Sequence, residues 1–462
     1  MNKKNRYRKR GLLLISFIIM LMIIPGSLMF PDSIKVLTIT DAVDLTLKNN
    51  YDISIYKNSI SSKKSFLNHR KKNFLPDLNL SMNYSFNKTQ TPDTSGEYVN
   101  ADYKNMDLRL TTDKMIFDGF RNISERRKAY FLYQGSIHTY SRTEQTVVYK
   151  TILNYLNAVS TKEMIEVGKE NIETQKILLA RIEDFYKTGK KALADVHYQK
   201  AEIAESEYQL LNFKKGFEIA KVKLLEGIGI TPFSGIKIKT PEAEKFSNLK
   251  MRNVKDMYED AKKFRSDMKT VQTGIDAAKQ GVRLAKSGYY PKVSFFGSLT
   301  SGFTGLNTKY SLSDQFWNLN PSLSAGISVA IPIFDRGGTK NLVTQSKLDF
   351  ENRRTDLVRL NNQILSEIIQ ADSNFRTALK QVDVAGAKFE YSKTALESIT
   401  ERYNVNAATI SELSFARSQY LQSGFDCING ELNLFRQVIT LYYQIGDMEG
   451  LLSVISKDKE EL

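Results

Sequence analysis

Ile116-Phe117-Asp118 recurs as Ile333-Phe334-Asp335, and this repeated segment decides how the whole chain is organised. The two copies lie 217 residues apart, counted from one phenylalanine to the other (334 − 117). Two further landmarks recur at the same spacing: Tyr186 with Tyr403, and Ile228-Gly229 with Ile445-Gly446. Solenoid repeats are only about 20 to 50 residues long. We therefore predict a tandem duplication of one half of the molecule.

Upstream of each copy, helix-forming residues run up to a proline, Pro76 or Pro291. Proline lacks a backbone donor and restrains the residue before it, so we expect the helices predicted over 40–70 and 254–286 to end there. After each proline the sequence alternates between apolar and polar residues, which is typical of an amphipathic strand. The alternating segments lie at 78–86, 106–110, 293–299 and 323–331.

These segments form two predicted strand hairpins, over 76–117 and 291–334. Polar residues rich in Pro, Gly, Asn and Asp separate the strands of each hairpin, at 88–105 and 304–321. Such residues favour exposed turns, so we predict loops at both places.

Downstream of each Phe-Asp pair the pattern is helical and free of proline, over 119–188 and 337–405. Helices of this length would extend about 100 Å at 1.5 Å per residue. Each ends at Gly189 or Asn406, residue types that readily adopt the left-handed conformation. Shorter helices are predicted over 190–228 and 407–445. The predicted fold class is therefore mainly α with a small β part, built on duplicated long helical hairpins.

Composition narrows the possible functions. The 462 residues carry a formal charge of +15, but six of these charges precede residue 11 and are followed by an apolar run at 12–24. This layout predicts a secretory signal peptide over 1–30, with an uncleaved anchor as the alternative. The charge therefore gives no reason to expect a nucleic-acid partner. One cysteine and three isolated histidines offer no metal site, and we expect no cofactor and no catalytic residue.

Strands with one apolar face suit either a half-buried sheet or a lipid-facing barrel. Here the strand length and the aromatic residues at the strand ends fit a barrel that crosses a bilayer. Four strands cannot close a barrel, and unpaired strand edges are not tolerated in lipid. We therefore expect a homotrimer with a 12-stranded transmembrane β-barrel, which the long helices continue as a coiled-coil tube.

The repeated order of these motifs resembles that of TolC-like outer membrane factors. The resemblance rests on Leu75-Pro76 and Tyr290-Pro291, the two Phe-Asp segments, and Tyr186-x-x-Gly189 followed by Asp195-Val196. It implies an outer membrane location with a long periplasmic portion, a periplasmic adaptor, and an inner-membrane pump or ABC transporter as partners. The implied organisation is a first repeat over 31–229, an equatorial linker over 230–250, a second repeat over 251–446 and a C-terminal tail over 447–462.

The same resemblance implies a periplasmic gate at the helix tips. It assigns a hydrogen bond between Asp195 and Tyr403 that closes neighbouring hairpins, and a ring of carboxylates formed by Glu412. Two positions depart from the family pattern, since Asn406 replaces a glycine and Ala408 replaces a basic residue. The residues expected to dock on the adaptor are Tyr186, Gly189, Lys190 and Asn406.

Two functions remain open at this point. The first is a passive, gated exit duct of a tripartite efflux pump or type I secretion system, which carries small molecules or secreted proteins. The second is a periplasmic coiled-coil adaptor or scaffold without a pore. An enzyme is not expected, because no nucleophile with its base and no phosphate-binding loop is recognisable.

Overall fold

A computed structural model describes residues 36–92, 95–230, 236–241, 252–307 and 309–456. The predicted signal peptide over 1–30 lies outside the described residues, as does most of the predicted linker over 230–250. The described part is mostly helical, with a small strand part. Among the described residues, no helix is apolar over enough of its length to cross a bilayer.

Two long helical hairpins dominate the molecule. In each hairpin a helix of 67 residues packs against one of 36 residues, and every boundary of the second hairpin lies 217 residues after that of the first. The hairpins are formed by α3 (Arg121–Lys187) with α4 (Leu193–Ile228), and by α7 (Gly338–Asn404) with α8 (Ile410–Ile445). Among the described residues, the other helices of nine residues or more are α1 (Ile39–Asn49), α2 (Tyr51–Lys72), α5 (Val254–Phe264), α6 (Ser266–Lys286) and α9 (Met448–Ser456).

The strands in the described part of the chain form one antiparallel sheet of four and one short parallel pair. The pair joins β1 (Val36–Leu37) to β4 (Lys237–Ile238). The larger sheet has the order β2, β3, β5, β6, so β2 and β6 are its edges. Its strands are β2 (Asn79–Pro92), β3 (Tyr98–Phe117), β5 (Lys292–Thr304) and β6 (Ser322–Ala330).

The structure corrects three predicted elements. The helix predicted over 40–70 is two helices, because Asn50 ends α1 in an extended conformation and its side chain caps α2. Arg265, also in an extended conformation, divides the predicted helix 254–286, but its side chain does not cap α6. The predicted loop 88–105 is mostly strand, since its polar residues pair between β2 and β3 as far as Pro92 and Tyr98.

The aspartate of each Phe-Asp pair begins a long helix. The Asp118 carboxylate accepts a hydrogen bond from the backbone N–H of Asn122 at 2.9 Å, and Asp335 accepts one from Thr339 at 2.7 Å. A carboxylate at this position satisfies a helix N–H that has no other partner. The motif therefore marks the point at which the chain changes from strand to helix.

The main apolar core lies halfway along α3. Ile152, Tyr155 and Leu156 are buried there against α1, α4, α8 and α9. The Tyr155 hydroxyl donates to the carbonyl of Leu37 at 3.0 Å, which fixes β1 to the helices. This core forms a belt around the middle of the hairpins. Above and below the belt, the same long helices carry fewer buried residues.

A buried ion-pair network lies beside this belt, where α5 meets α6; we call it the Arg265 joint. The Arg265 side chain is only 3 % exposed and donates to Asp267 and Glu367, each at 2.6 Å. It also donates to the carbonyl of Gln444 at 3.3 Å. Gly446 packs directly on it. The joint therefore ties α6, α7 and the end of α8 together.

Candidate gate at the helix tips

Each long hairpin turns through the same hydrogen-bonded loop. In the first, the N–H of Gly189 donates to the Tyr186 carbonyl at 2.9 Å, and the N–H of Lys190 to that of Phe185 at 2.8 Å. In the second, Asn406 and Ala407 make the equivalent bonds to Tyr403 and Arg402 at 3.2 and 2.7 Å. This pair of bonds is the Schellman motif, which satisfies the last carbonyls of a helix.

The left-handed conformation predicted at both tips is confirmed. Gly189 has φ 71° and Asn406 has φ 62°. A Cβ atom on Gly189 would meet nothing within 4 Å, so only the backbone angle favours glycine there. Asparagine adopts this conformation more readily than other residues with a side chain, because its amide hydrogen-bonds locally. The replacement of the second glycine therefore leaves the turn intact.

The predicted adaptor-docking residues are accessible. Tyr186 is 43 % exposed, and Gly189, Lys190 and Asn406 are exposed beside it at the end of the molecule. The Lys190 ammonium lies 5.9 Å from the centre of the Phe185 ring. The two turns therefore present a polar, partly basic surface.

Tyr403 is the most deeply buried of the predicted gate residues. It is 1 % exposed and packs with Leu178, Ile182, Val196 and Leu413. With Tyr403, this cluster contains residues from all four hairpin helices. Its hydroxyl has no hydrogen-bond partner among the described residues. Buried polar groups without a partner are rare, because each costs free energy. This hydroxyl is therefore free to accept a partner from outside the described residues.

Asp195 lies near Tyr403 but is not bonded to it in this chain. It stands half-buried in the first turn of α4. Burial, together with the negative charge of Asp195, raises the pKa of the Tyr403 phenol to about 12. The structure therefore brings the two residues together without forming the predicted hydrogen bond within one protomer.

Lys191 is a tip residue whose role the sequence did not indicate. Its ammonium lies 3.7 Å from the centre of the Tyr403 ring and donates to the Tyr403 carbonyl at 3.4 Å. Nearby, the Arg181 guanidinium donates to the side-chain oxygen of Asn404 at 3.3 Å. Both contacts join the first hairpin to the second. Sequence spacing predicts that the tips are equivalent, but it carries no signal for contacts between them.

Glu412 is exposed and caps α8. Its carboxylate accepts hydrogen bonds from the Thr409 N–H at 2.7 Å and the Thr409 hydroxyl at 2.9 Å, and the Glu412 N–H donates back to that hydroxyl at 3.2 Å. This is a capping box. The backbone N–H of Thr409 is the main reason why the pKa of Glu412 is lowered. Its position at the tip is compatible with a carboxylate ring, while its hydrogen bonds cap the N-terminus of α8.

The sequence model of a family described as "Outer membrane efflux protein" matches residues 42–229 and 257–447. These two matched segments cover most of the chain and contain both hairpins.

Curated relatives are similar along most of their length. The outer membrane protein TolC of Escherichia coli (strain K12) is 20 % identical over 405 residues, which cover 85 % of this chain and 79 % of the relative. The outer membrane protein TolC of Vibrio cholerae serotype O1 is 17 % identical over 389 residues, which cover 81 % and 82 %.

A solved structure shares the fold. The Campylobacter jejuni CmeC outer membrane channel superposes with a TM-score of 0.76 at 18 % identity, covering 92 % of this chain and 90 % of that one. At this identity the likeness concerns the fold alone.

Proposed function

Because the chain belongs to the outer membrane efflux protein family, we propose that it is the gated exit channel of a tripartite efflux pump or type I secretion system. Membership of the family places it in the outer membrane. The family is one of channels and not of enzymes. The second candidate, a periplasmic adaptor without a pore, is not favoured by these relationships.

The observation that carries the proposal is the unsatisfied four-stranded sheet. Its apolar side chains point away from the chain, with Leu80 at 68 % and Leu323 at 79 % exposure. Among the described residues, β2 pairs only with β3, and β6 only with β5. A sheet in lipid must have no unpaired edge. Three copies joined edge to edge would supply 12 strands, which is a closed barrel of a size known in outer membranes.

The helical part extends the duct into the periplasm. Helices of 67 residues span about 100 Å at 1.5 Å per residue. In a trimer the hairpins would form a coiled-coil tube, and the repeats over 31–229 and 251–446 would each contribute one hairpin to it. Their exposed tips, with Tyr186, Gly189, Lys190 and Asn406, would dock on a periplasmic adaptor that connects them to an inner-membrane pump or ABC transporter.

The gate is proposed to lie at these tips. In the closed trimer, the Tyr403 hydroxyl would bond to a carboxylate of Asp195, which would satisfy a buried hydroxyl that has no partner among the described residues. Glu412 would form a ring of carboxylates at the narrowest point. Such a ring favours cations in a pore.

The first test is the oligomeric state and the ion selectivity of the purified protein. It should migrate as a trimer in detergent and conduct with a cation preference in a planar bilayer. Glu412→Gln should weaken this preference without opening the helix cap, since glutamine also completes a capping box. Because the preference comes from ionised carboxylates, it should be lost at a pH low enough to protonate Glu412.

The matched control is Glu390→Gln, which removes the same charge from an exposed site on the body of α7. This variant should keep the native selectivity. A stable monomer in detergent would refute the shared barrel. Equal selectivity of the native and Glu412→Gln channels would remove Glu412 from the constriction.

A further inference from the structure

A cavity of about 450 Å³ lies between α2, α3 and α6, close to the sheet. It is separate from the helix tips and is not used by the proposed gate. It is lined by Leu67, Lys71, Arg126, Arg127, Tyr130, Phe131 and Gln280.

The charge of this cavity is entirely positive. Its lining contains the cations Lys71, Arg126 and Arg127 and no carboxylate. None of the three forms an ion pair with another described residue. The Arg126 guanidinium lies over the ring of Phe74, 5.4 Å from its centre. Three unpaired cations around one cavity indicate an anionic ligand, because arginine and lysine bind phosphate through charge-assisted hydrogen bonds.

A second observation concerns Gln280, which lines the same cavity. Its side chain is 6 % exposed, and its carboxamide oxygen has no hydrogen-bond partner among the described residues. A buried acceptor without a donor costs free energy. The ligand should therefore offer a hydrogen-bond donor, such as a hydroxyl, next to its anionic group.

The cavity lies just below the strands. Lys71 is one residue from the end of α2, Arg126 is five residues into α3, and Gln280 is six residues from the end of α6. At 1.5 Å per residue these positions are within about 10 Å of the helix ends. The headgroup layer extends about 5 to 8 Å beyond the hydrocarbon core on each side of a bilayer. Long cationic side chains at this depth can reach it.

A second cleft shows on which face of the helical layer the cavity opens. The helices α2, α3, α6 and α7 pack side by side in this order. The second cleft, of about 350 Å³, is lined by all four of them, including Lys63 of α2 and Arg353 of α7. Side chains from the two outer helices of a curved layer come close enough to share a cleft only on the concave face of the layer. This cleft therefore marks the face that would line the duct.

The cavity opens on the opposite, convex face. Around α3, at 100° per residue, the side chains that line the cavity point on average about 140° away from those that line the cleft, and Phe131 lies between the two directions and lines both. The cleft is lined on α3 by Leu132, Ser136 and Thr139 among others, and the cavity by Arg126, Arg127 and Tyr130. A ligand of the cavity therefore comes from the outside of the tube and not from the duct.

The surrounding surface is also basic. The four segments where strands meet helices, 70–77, 113–128, 283–292 and 330–340, contain thirteen Lys and Arg against five Asp and Glu, a net +8. The whole chain beyond residue 10 carries +9 (15 − 6). Nearly all of its excess positive charge therefore lies at the level of the cavity. Clusters of cations next to a membrane segment attract anionic lipids.

We propose that this cavity binds the headgroup of an anionic phospholipid that carries hydroxyl groups, of the phosphatidylglycerol class, from the periplasmic leaflet of the outer membrane. Lys71, Arg126 and Arg127 hold the phosphodiester, and the carboxamide oxygen of Gln280 accepts from a headgroup hydroxyl. Leu67 and the two aromatic rings contact the glycerol backbone of the lipid. This inference rests on the proposed function, since it requires the sheet to lie in the membrane.

The test is native mass spectrometry of the full-length trimer from detergent that contains equal amounts of phosphatidylglycerol and phosphatidylcholine. The native protein should retain phosphatidylglycerol preferentially, and Lys71→Gln with Arg127→Gln should reduce this preference by roughly fivefold per cation removed. The control pair Lys63→Gln with Arg353→Gln removes the same charge from the concave cleft and should leave the preference unchanged.

A second variant tests the hydroxyl. The native trimer should prefer phosphatidylglycerol to phosphatidylmethanol, which has the same phosphodiester charge but no headgroup hydroxyl. Gln280→Met should remove this difference while phosphatidylcholine remains excluded. An unchanged difference would show that Gln280 does not contact the headgroup.

Two results would overturn the proposal. One is equal lipid retention by the native protein and the Lys71→Gln/Arg127→Gln variant. The other is displacement of the lipid by excess inorganic phosphate, which would make the cavity a site for a soluble anion. Trimer mass and bilayer conductance of the same preparations separate these outcomes from failure of the channel itself. A conducting trimer without lipid preference refutes only the lipid site, whereas a monomer refutes the proposed function.

Discussion

The Arg265 joint and the tip around Tyr403 each bury a polar group where helices meet. Within the described part of the chain, the buried group has hydrogen-bond partners at the joint but not at the tip. Arg265 is surrounded by the carboxylates of Asp267 and Glu367 and by the carbonyl of Gln444. The Tyr403 hydroxyl has no partner among the described residues. A satisfied network holds one arrangement, whereas an unsatisfied group gains by finding a new partner. The comparison suggests that the joint fixes the hairpins and that the tip changes its contacts.

The two regions also differ in how closely other atoms surround a glycine. Gly446 has φ 82° and a Cβ there would lie 3.0 Å from Arg265 Cγ and 3.1 Å from its backbone nitrogen. Gly189 has a similar φ of 71°, but open space surrounds it. The backbone requirement is therefore shared, while close packing applies only at the joint.

The largest effect is expected from Arg265→Ala. This substitution leaves two carboxylates without their buried partner, and breaking such a pair typically costs about 3–5 kcal/mol. Burial alone would raise the pKa of Asp267, but its hydrogen bonds to Arg265 lower it below the usual value. We therefore expect unfolding at a lower urea concentration at neutral pH, measured by circular dichroism of the purified protein.

Lys191→Ala is the control at the tip. It removes the cation that lies over the Tyr403 ring, a contact worth about 0.5–1 kcal/mol at an exposed site. If both variants lost the same stability, the proposed difference between joint and tip would be wrong.

An intermediate effect is expected from asparagine at the two glycines. Gly189→Asn should be close to neutral, because Asn406 already occupies the equivalent turn at φ 62°. Gly446→Asn should cost at least about 1–3 kcal/mol more, since its side chain must displace the backbone beside Arg265. The same urea titration measures both, and equal midpoints would show that the joint has room to adjust.

The sequence predicted the periodic features of this fold and missed the ones that depend on tertiary contacts. The recurrence of Phe117 as Phe334 located both long hairpins, because it marks a local change from strand to helix. Asn50 and Arg265 were missed as helix boundaries, since both end a helix in an extended conformation that neither a proline nor a left-handed residue marks. The strand pairing up to Pro92 was also missed, because polar residues that alternate in a sheet resemble those of a loop.

At the candidate gate, too, the sequence predicted positions but not tertiary contacts. The positions of Asp195, Tyr403 and Glu412 follow from a resemblance and from the left-handed turns at Gly189 and Asn406. The contact of Lys191 with Tyr403 and the cap made by Glu412 depend on side-chain packing at the tips. A pattern of single residues along a chain carries little information about such packing.

The smallest effect on stability, and the most specific one, is expected from Tyr403→Phe. Removing a buried hydroxyl that has no partner among the described residues should leave the stability of the chain unchanged or raise it by about 1 kcal/mol. In the trimer the same change would remove the bond proposed to close the gate, so the conductance in a planar bilayer should increase. The pKa of Tyr403 gives an independent check, because it is raised from 10 to about 12. A raised pKa means that the stability contributed by the neutral phenol is present below pH 10 and is lost as the pH rises towards 12. The native protein should therefore lose more stability than Tyr403→Phe over this interval, and identical losses would show that the phenol is accessible to water rather than buried at the tip.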